Sequence, residues 1–153
     1  MAGKTGENLS ILIRYLKDNE NTKHYFTSSN KYDYRITNAY TEVLYKQKNG
    51  RTEPKMSEIK SSENVTRLKS ELKDFSIIIL CGKKAQKAYE CLGIEKKIKV
   101  INIKHLGMQG LNHVPIDESV PQKKRTDERL KMIARHIAEE ISSWDVMENK
   151  DGE

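Results

Sequence analysis

Two side chains that can do chemistry, His105 and Asn38, each lie at the end of a stretch of sequence typical of a β-strand. His105 is a candidate catalytic residue, although a single histidine after a strand is often only a hydrogen-bonded structural residue. Asn38 offers one acceptor and two donors, the groups needed to read the edge of a base. An Asn at a strand end is more often a turn or cap residue. The residue types therefore predict a site but leave its chemistry open.

Three predicted strands would position these groups. The apolar run IIILC over 77–81 is followed by Gly82 and an amphipathic helix pattern over 83–92, which is typical of a parallel strand covered on both faces. A second strand over 98–103 leads to His105 and the loop HLGMQGLNH, and a third strand is predicted over 34–40, YRITNAY. Because ligands of open α/β sheets bind outside the carboxyl ends of the strands, we expect the site there.

The same three segments, in this order and spacing, resemble the uracil-DNA glycosylase superfamily. RITNAY resembles its strand-borne Asn motif, IIILCGKKAQKAY its apolar strand with the following glycine and helix, and KHLGMQGLN its terminal His loop. The resemblance covers roughly residues 3–141. It implies an α/β fold, a three-layer α/β/α sandwich with a central, mainly parallel sheet, formed by residues 1–144 and followed by a polar tail over 145–153.

The activity implied by this resemblance is hydrolysis of the N-glycosidic bond of uracil or another altered base that has been flipped out of DNA. Asn38 would bind the edge of the base, and His105 would be catalytic by supporting negative charge on the base as it departs. The remaining motif positions would contact DNA, with Met108, Gln109 and Leu111 pressing into the duplex; these positions are Gly82, Lys83, Gly107, Met108, Gln109, Gly110 and Leu111.

Two departures from the family pattern stand out. Leu106 and Gly107 occupy the places of the usual Pro and Ser, so the phosphate-contacting hydroxyl is absent there, although backbone N–H groups of a glycine-containing loop can hold a phosphate. The family's first strand, with its water-positioning Asp, Glu or Asn, is not found. An upstream start, a strand over 9–16 or a partner would supply it. Helical spacing of apolar residues over 9–16 favours a helix, so we expect an upstream segment or a divergent, inactive relative.

The amino-acid composition limits the kinds of partner and cofactor that the protein can have. A chain of 153 residues can bury a core, and 28 Lys and Arg against 22 Asp and Glu, a net charge of +6, favours a polyanion. We expect DNA, single- or double-stranded, as the partner of a monomer. Two cysteines without CxxC pairing leave zinc and iron–sulfur sites unsupported, and we expect no metal and no cofactor. No secretory or membrane-length apolar stretch is present, which predicts a cytoplasmic protein without a membrane partner.

Other readings stay open. One is a non-catalytic nucleic-acid-binding relative, and a weaker one is a nucleotide-binding or nucleotide-processing α/β domain, which no GxGxxG or GxxxxGK[ST] motif supports. Tyr25 or Phe26 is a candidate to stack on a flipped base. Further along the chain, we predict a helix from near Ser61 to near Lys73 and a final helix capped by Asp127.

Overall fold

The computed structural model describes residues 3–40, 54–95 and 97–151. The chain divides into two compact units. The terminal unit consists of the residues up to Ile36 and from Ile103 onward, and the central unit is Thr37–Asn102. The helices and strands, in chain order, are α1 (Gly3–Asp18), α2 (Met56–Ile59), α3 (Ser62–Leu72), β1 (Ile77–Cys81), α4 (Lys83–Glu90), β2 (Lys99–Ile103), α5 (Met108–Leu111) and α6 (Arg125–Asp151), with 3₁₀ turns at Lys31–Asp33 and Gln122–Lys124.

The core of the terminal unit is built by α1 packing against the long helix α6. The apolar side chains on each helix recur every three or four residues, so they form one buried stripe per helix. The stripes are Leu12, Ile13 and Leu16 on α1, and Leu130, Ile133, Ala134, Ile137, Ala138 and Ile141 on α6. The predicted helix over 9–16 is confirmed, which excludes that segment as the missing strand.

A polar contact joins the same two helices near the start of α6. The Tyr15 hydroxyl donates a hydrogen bond to the Asp127 carboxylate, and the Lys131 ammonium lies 3.4 Å from that carboxylate. Burial, and then the bond to Asp127, raise the pKa of Tyr15. The prediction that Asp127 caps the final helix is wrong. The helix begins at Arg125, directly after the 3₁₀ turn, so Asp127 lies inside its first turn. A carboxylate there interacts favourably with the helix dipole.

The central unit contains the sheet, in which β1 and β2 pair in parallel. Both strands were predicted. The bounds of β1 agree with the prediction, and β2 begins one residue later than predicted. The predicted helix near 61–73 is confirmed as α3, which the Ser61 side chain caps. Four buried residues form the centre of this unit's core: Ile59, Leu68, Ala88 and Leu92. The described residues are thus a mixture of helix and strand that includes a small two-stranded parallel sheet.

The strand predicted over 34–40 is wrong. Tyr34 follows the 3₁₀ turn in an extended conformation, and residues 35–38 take no helix or strand assignment. The tyrosine and β-branched residues of this segment suit a strand, but a strand also needs a neighbouring strand with which to exchange backbone hydrogen bonds. Here the Arg67 and Asn64 side chains of α3 instead donate to the carbonyls of Asn38 and Ala39. Lys96, part of the basic sequence before β2, lies outside the described residues.

Candidate functional site

The loop that follows β2, residues 104–112, presents His105 at the protein surface, and we call it the His105 loop. Ile103 and Leu106, on either side of the histidine, are buried, with exposed fractions of 6% and 1%. Leu111, at the end of the loop, is completely buried. His105 itself is exposed. Apolar anchors before and after the imidazole therefore fix the loop while leaving the ring accessible.

A backbone hydrogen bond sets the tautomer of the neutral His105 ring. The N–H of Gly107 donates to His105 Nδ1 across 2.9 Å. An acceptor nitrogen has its lone pair available, so the proton of the neutral ring belongs on Nε2. Within the described residues, Nε2 makes no hydrogen bond. The ring is therefore arranged as an outward-facing N–H donor.

Two glycines allow the His105 loop to close this tightly. A Cβ atom on Gly110 would lie 2.1 Å from the His105 carbonyl oxygen, a distance that only displacement of the backbone could relieve. A Cβ atom on Gly107 would lie 2.9 Å from His105 Nδ1. The glycines that the sequence analysis assigned to DNA contact thus have a structural reason as well, since any other residue would push the loop away from the histidine.

Helices α1 and α6 hold the two ends of the His105 loop. Asn8, only 1% exposed, donates from Nδ2 to the Leu106 carbonyl across 2.7 Å. Arg129 donates from Nε to the Val114 carbonyl at 3.1 Å and from Nη1 to Asn112 Oδ1 at 3.3 Å. Sequence reasoning missed both supports. A signal for Asn8 was available, because it precedes Leu12 and Leu16 by four and eight residues and so lies on the buried stripe of α1.

A hydroxyl approaches the His105 loop from α1. Thr5 Oγ1 lies 3.4 Å from the position that a Cβ atom on Gly107 would occupy. The first turn of α1 therefore places a hydroxyl beside the backbone of the His105 loop.

The three side chains of the His105 loop that were predicted to press into DNA differ in their exposure to solvent. Met108, 40% exposed, and Gln109 project outward. Leu111 does not, because its side chain is completely buried. This corrects the expectation that Leu111 presses into a duplex, and it leaves Met108 and Gln109 as the side chains able to do so.

Asn38 belongs to the central unit, where α3 fixes its backbone. Arg67 donates from Nη2 to the Asn38 carbonyl at 2.9 Å and from Nη1 to Thr37 Oγ1 at 3.0 Å. Asn64 Nδ2 donates to the Ala39 carbonyl at 2.7 Å. Glu71 balances the Arg67 charge at 3.0 Å. The Asn38 side chain is exposed, so a fixed backbone presents a carboxamide that is accessible to a ligand.

Gly82 and Lys83 also belong to the central unit, where they join β1 to α4. Gly82 has φ +91°, a left-handed conformation that favours glycine, and it serves as the N-cap of α4. Lys83 is the first residue of the helix and is exposed. Before them, burial raises the pKa of the Cys81 thiol to about 11, so this thiol stays protonated at neutral pH and is a poor nucleophile.

The described residues of the central unit also line two cavities. Two cavities of about 440 and 270 Å³ lie in the central unit, and neither is lined by Asn38, Gly82 or Lys83. Within the residues described, no group of three or more His, Cys, Asp or Glu side chains could hold a metal ion. No helix in that part of the chain is long and apolar enough to cross a membrane.

Comparisons with known protein families, curated proteins and solved structures give no match. The functional argument therefore depends on the geometry of the chain itself.

Proposed function

We propose that this protein is a uracil-DNA glycosylase-like enzyme in which His105 stabilises a base as it leaves the sugar. The observation that carries the proposal is the hydrogen bond from the Gly107 N–H to His105 Nδ1, which leaves Nε2–H as an exposed donor. A donor held in advance needs no reorganisation when charge develops on the acceptor, and this is how an oxyanion is stabilised best. The resemblance of three sequence motifs to the uracil-DNA glycosylase superfamily adds support.

The proposed reaction is hydrolysis of an N-glycosidic bond in DNA. The bond between the sugar C1′ and the ring nitrogen of the base breaks, and its electron pair leaves with the base. His105 Nε2–H donates to the base oxygen that takes up this charge. Water gives its hydroxyl to C1′, and its remaining proton ends on the released base.

Two further residues have roles in the proposal. Asn38 reads the edge of the base, since its carboxamide is exposed while its backbone is held by Arg67. Thr5 supplies the hydroxyl that contacts phosphate, in place of the serine that the His105 loop lacks. The proposal also implies that β1 and β2 belong to the mainly parallel sheet of a three-layer α/β/α sandwich.

Base release from oligonucleotides tests the proposal. Single- and double-stranded substrates carry uracil, hypoxanthine, xanthine or a 5-substituted uracil, and the proteins are the wild type, His105→Ala and His136→Ala. His136 is an exposed histidine on α6, so its variant is the matched control. We expect release from at least one substrate, lowered by about 100-fold or more in His105→Ala and unchanged in His136→Ala. Equal release by the two variants would exclude His105 as the donor.

A second candidate function is nucleic-acid binding without base release. It is favoured by the absence of any Asp or Glu from the sequence between Ile98 and Ile116, which leaves the His105 loop with no carboxylate of its own to orient water. Salt-dependent DNA binding with no release from any of the substrates would favour this second function.

A further inference from the structure

The segment between α1 and the Asn38 region is ordered by its own contacts. Tyr34 donates from its hydroxyl to the Ser28 carbonyl at 2.5 Å and accepts from the Ser28 N–H at 3.2 Å. Ser28 Oγ also donates to Asp33. Asn30 caps the 3₁₀ turn by accepting from the Tyr32 N–H at 3.0 Å. This network fixes the backbone of residues 28–34 without using the Tyr32 ring.

The aromatic side chains of this segment have different surroundings. Phe26 is only 9% exposed and packs on the Tyr34 ring with 5.8 Å between centroids, so it is not the stacking residue that the sequence suggested. Tyr32, at the tip of the segment, is 76% exposed, compared with 40% for Tyr25. The Tyr32 ring is therefore held on an ordered backbone but does not pack in the core. Its exposed face can bury area against a ligand at little cost in conformational entropy.

Lys31 links this ring to the surface around His105. Its ammonium lies 5.3 Å from the centre of the Tyr32 ring and donates to the Gly6 carbonyl at 3.3 Å. Gly6 follows Thr5, whose hydroxyl is the one beside Gly107. Within the terminal unit, the Lys31 ammonium beside this ring and the Gly107 backbone of the His105 loop therefore both lie near the first turn of α1.

We infer that Tyr32 is a stacking platform for an unpaired base of single-stranded nucleic acid, next to the nucleotide that His105 contacts. The inference rests on the proposed function for its class of partner and adds a binding residue to it. Every base has an aromatic face, so the platform holds the strand without reading its sequence. The Lys31 ammonium lies beside the ring and bonds to α1 through the Gly6 carbonyl.

Binding measured by fluorescence anisotropy tests the platform. One probe is a short fluorescein-labelled oligo(dT), and the second has the same number of phosphates but abasic sugars throughout. The proteins are the wild type, Tyr32→Ala, Tyr32→Phe and Phe75→Ala, which removes an exposed aromatic ring from the central unit. We expect Tyr32→Ala to weaken binding of oligo(dT) by about 5- to 150-fold, with Tyr32→Phe and Phe75→Ala close to the wild type. On the abasic probe the wild type and Tyr32→Ala should bind equally.

The outcomes separate the platform from the proposed activity. Loss of binding in Tyr32→Ala confined to the probe with bases supports the platform, even if no base is ever released. Equal binding of oligo(dT) by the wild type and Tyr32→Ala overturns it, even if His105-dependent release is found. An equal loss on both probes also overturns it, because the ring would then act through folding or charge rather than through stacking.

Discussion

The terminal and central units use their polar residues differently. The terminal unit contains 14 Lys and Arg and 14 Asp and Glu, whereas the central unit contains 14 Lys and Arg against 8 Asp and Glu. The whole net charge of +6 therefore belongs to the central unit. His105 and Tyr32, which carry the proposed chemistry and stacking, belong to the terminal unit. In the proposed function, long-range attraction of a polyanion would therefore come mainly from the central unit, whereas His105 and Tyr32 would act from the terminal unit.

The units also hold their candidate residues by different physical means. In the terminal unit the His105 loop closes through the lack of side chains at Gly107 and Gly110, with Asn8 securing the backbone. In the central unit an ionised side chain, Arg67, bonds to the segment that carries Asn38. Where two stretches of backbone lie this close, one added Cβ atom is enough to force them apart. A side-chain clamp loses its bonds when it is truncated, but water can replace part of them.

The largest effect is expected from Gly110→Ala. The new Cβ atom would meet the His105 carbonyl oxygen at 2.1 Å, so the loop must move, at a cost of about 3 kcal/mol in the free energy of unfolding. Gly93→Ala is the control. Nothing lies within 4 Å of its Cβ position, and only the φ of +57° opposes it, at about 1 kcal/mol. Urea unfolding measures the loss of stability in both variants. An equal loss would show that the steric clash at Gly110 does not determine the stability of the His105 loop.

A smaller loss is expected from Arg67→Ala. The Arg67 guanidinium bonds to Thr37, Asn38, Asn64 and Glu71, and its truncation leaves these partners to water, at a cost of about 2 kcal/mol. The Arg67 Nε atom is buried without a hydrogen-bond partner among the described residues, so its desolvation offsets part of this stabilisation. Lys69→Ala, an exposed change on the same helix, should stay within about 0.5 kcal/mol. Wild-type stability of Arg67→Ala in urea would contradict the clamp.

The smallest effect is expected from Lys83→Gln. This variant tests whether the positive charge of the central unit, rather than that of the terminal unit, attracts the nucleic acid. Loss of one phosphate contact should weaken binding of single-stranded DNA by about fivefold in moderate salt and reduce the slope of log K against log salt by about 0.7. Lys17→Gln, an equal change at an exposed lysine of the terminal unit, should alter neither quantity. Equal losses in the two variants, measured by anisotropy across a salt series, would show that the charge of both units is used alike.

Local pattern was enough to predict much of the fold. The β-branched run of β1, the amphipathic repeat of α4 and the serine cap of α3 each contain their own signal, and those elements occur where the sequence placed them. The strand over 34–40 failed because its backbone bonds to Arg67 and Asn64, which lie some 25 to 30 residues further along the chain. No pattern within the segment reports that distant partner.

Prediction of the site was limited in the same way. The position of His105 after β2 followed from strand and loop signals, but its support by Asn8 depends on a contact across 98 residues. Tyr32 resembled its aromatic neighbours in sequence. Only the folded segment distinguishes it from buried Phe26 and bonded Tyr34.

The most direct test of the central claim is the tautomer of His105, read from ¹⁵N chemical shifts and long-range couplings in imidazole-labelled protein at a pH where the ring is neutral. The bond from the Gly107 N–H predicts a single Nε2–H tautomer, with Nδ1 giving the shift of an unprotonated, hydrogen-bonded nitrogen. His136, exposed on α6, provides the reference ring in the same spectrum. A His105 proton on Nδ1, or a mixture like that of a free imidazole, would contradict the arrangement on which the proposed function depends.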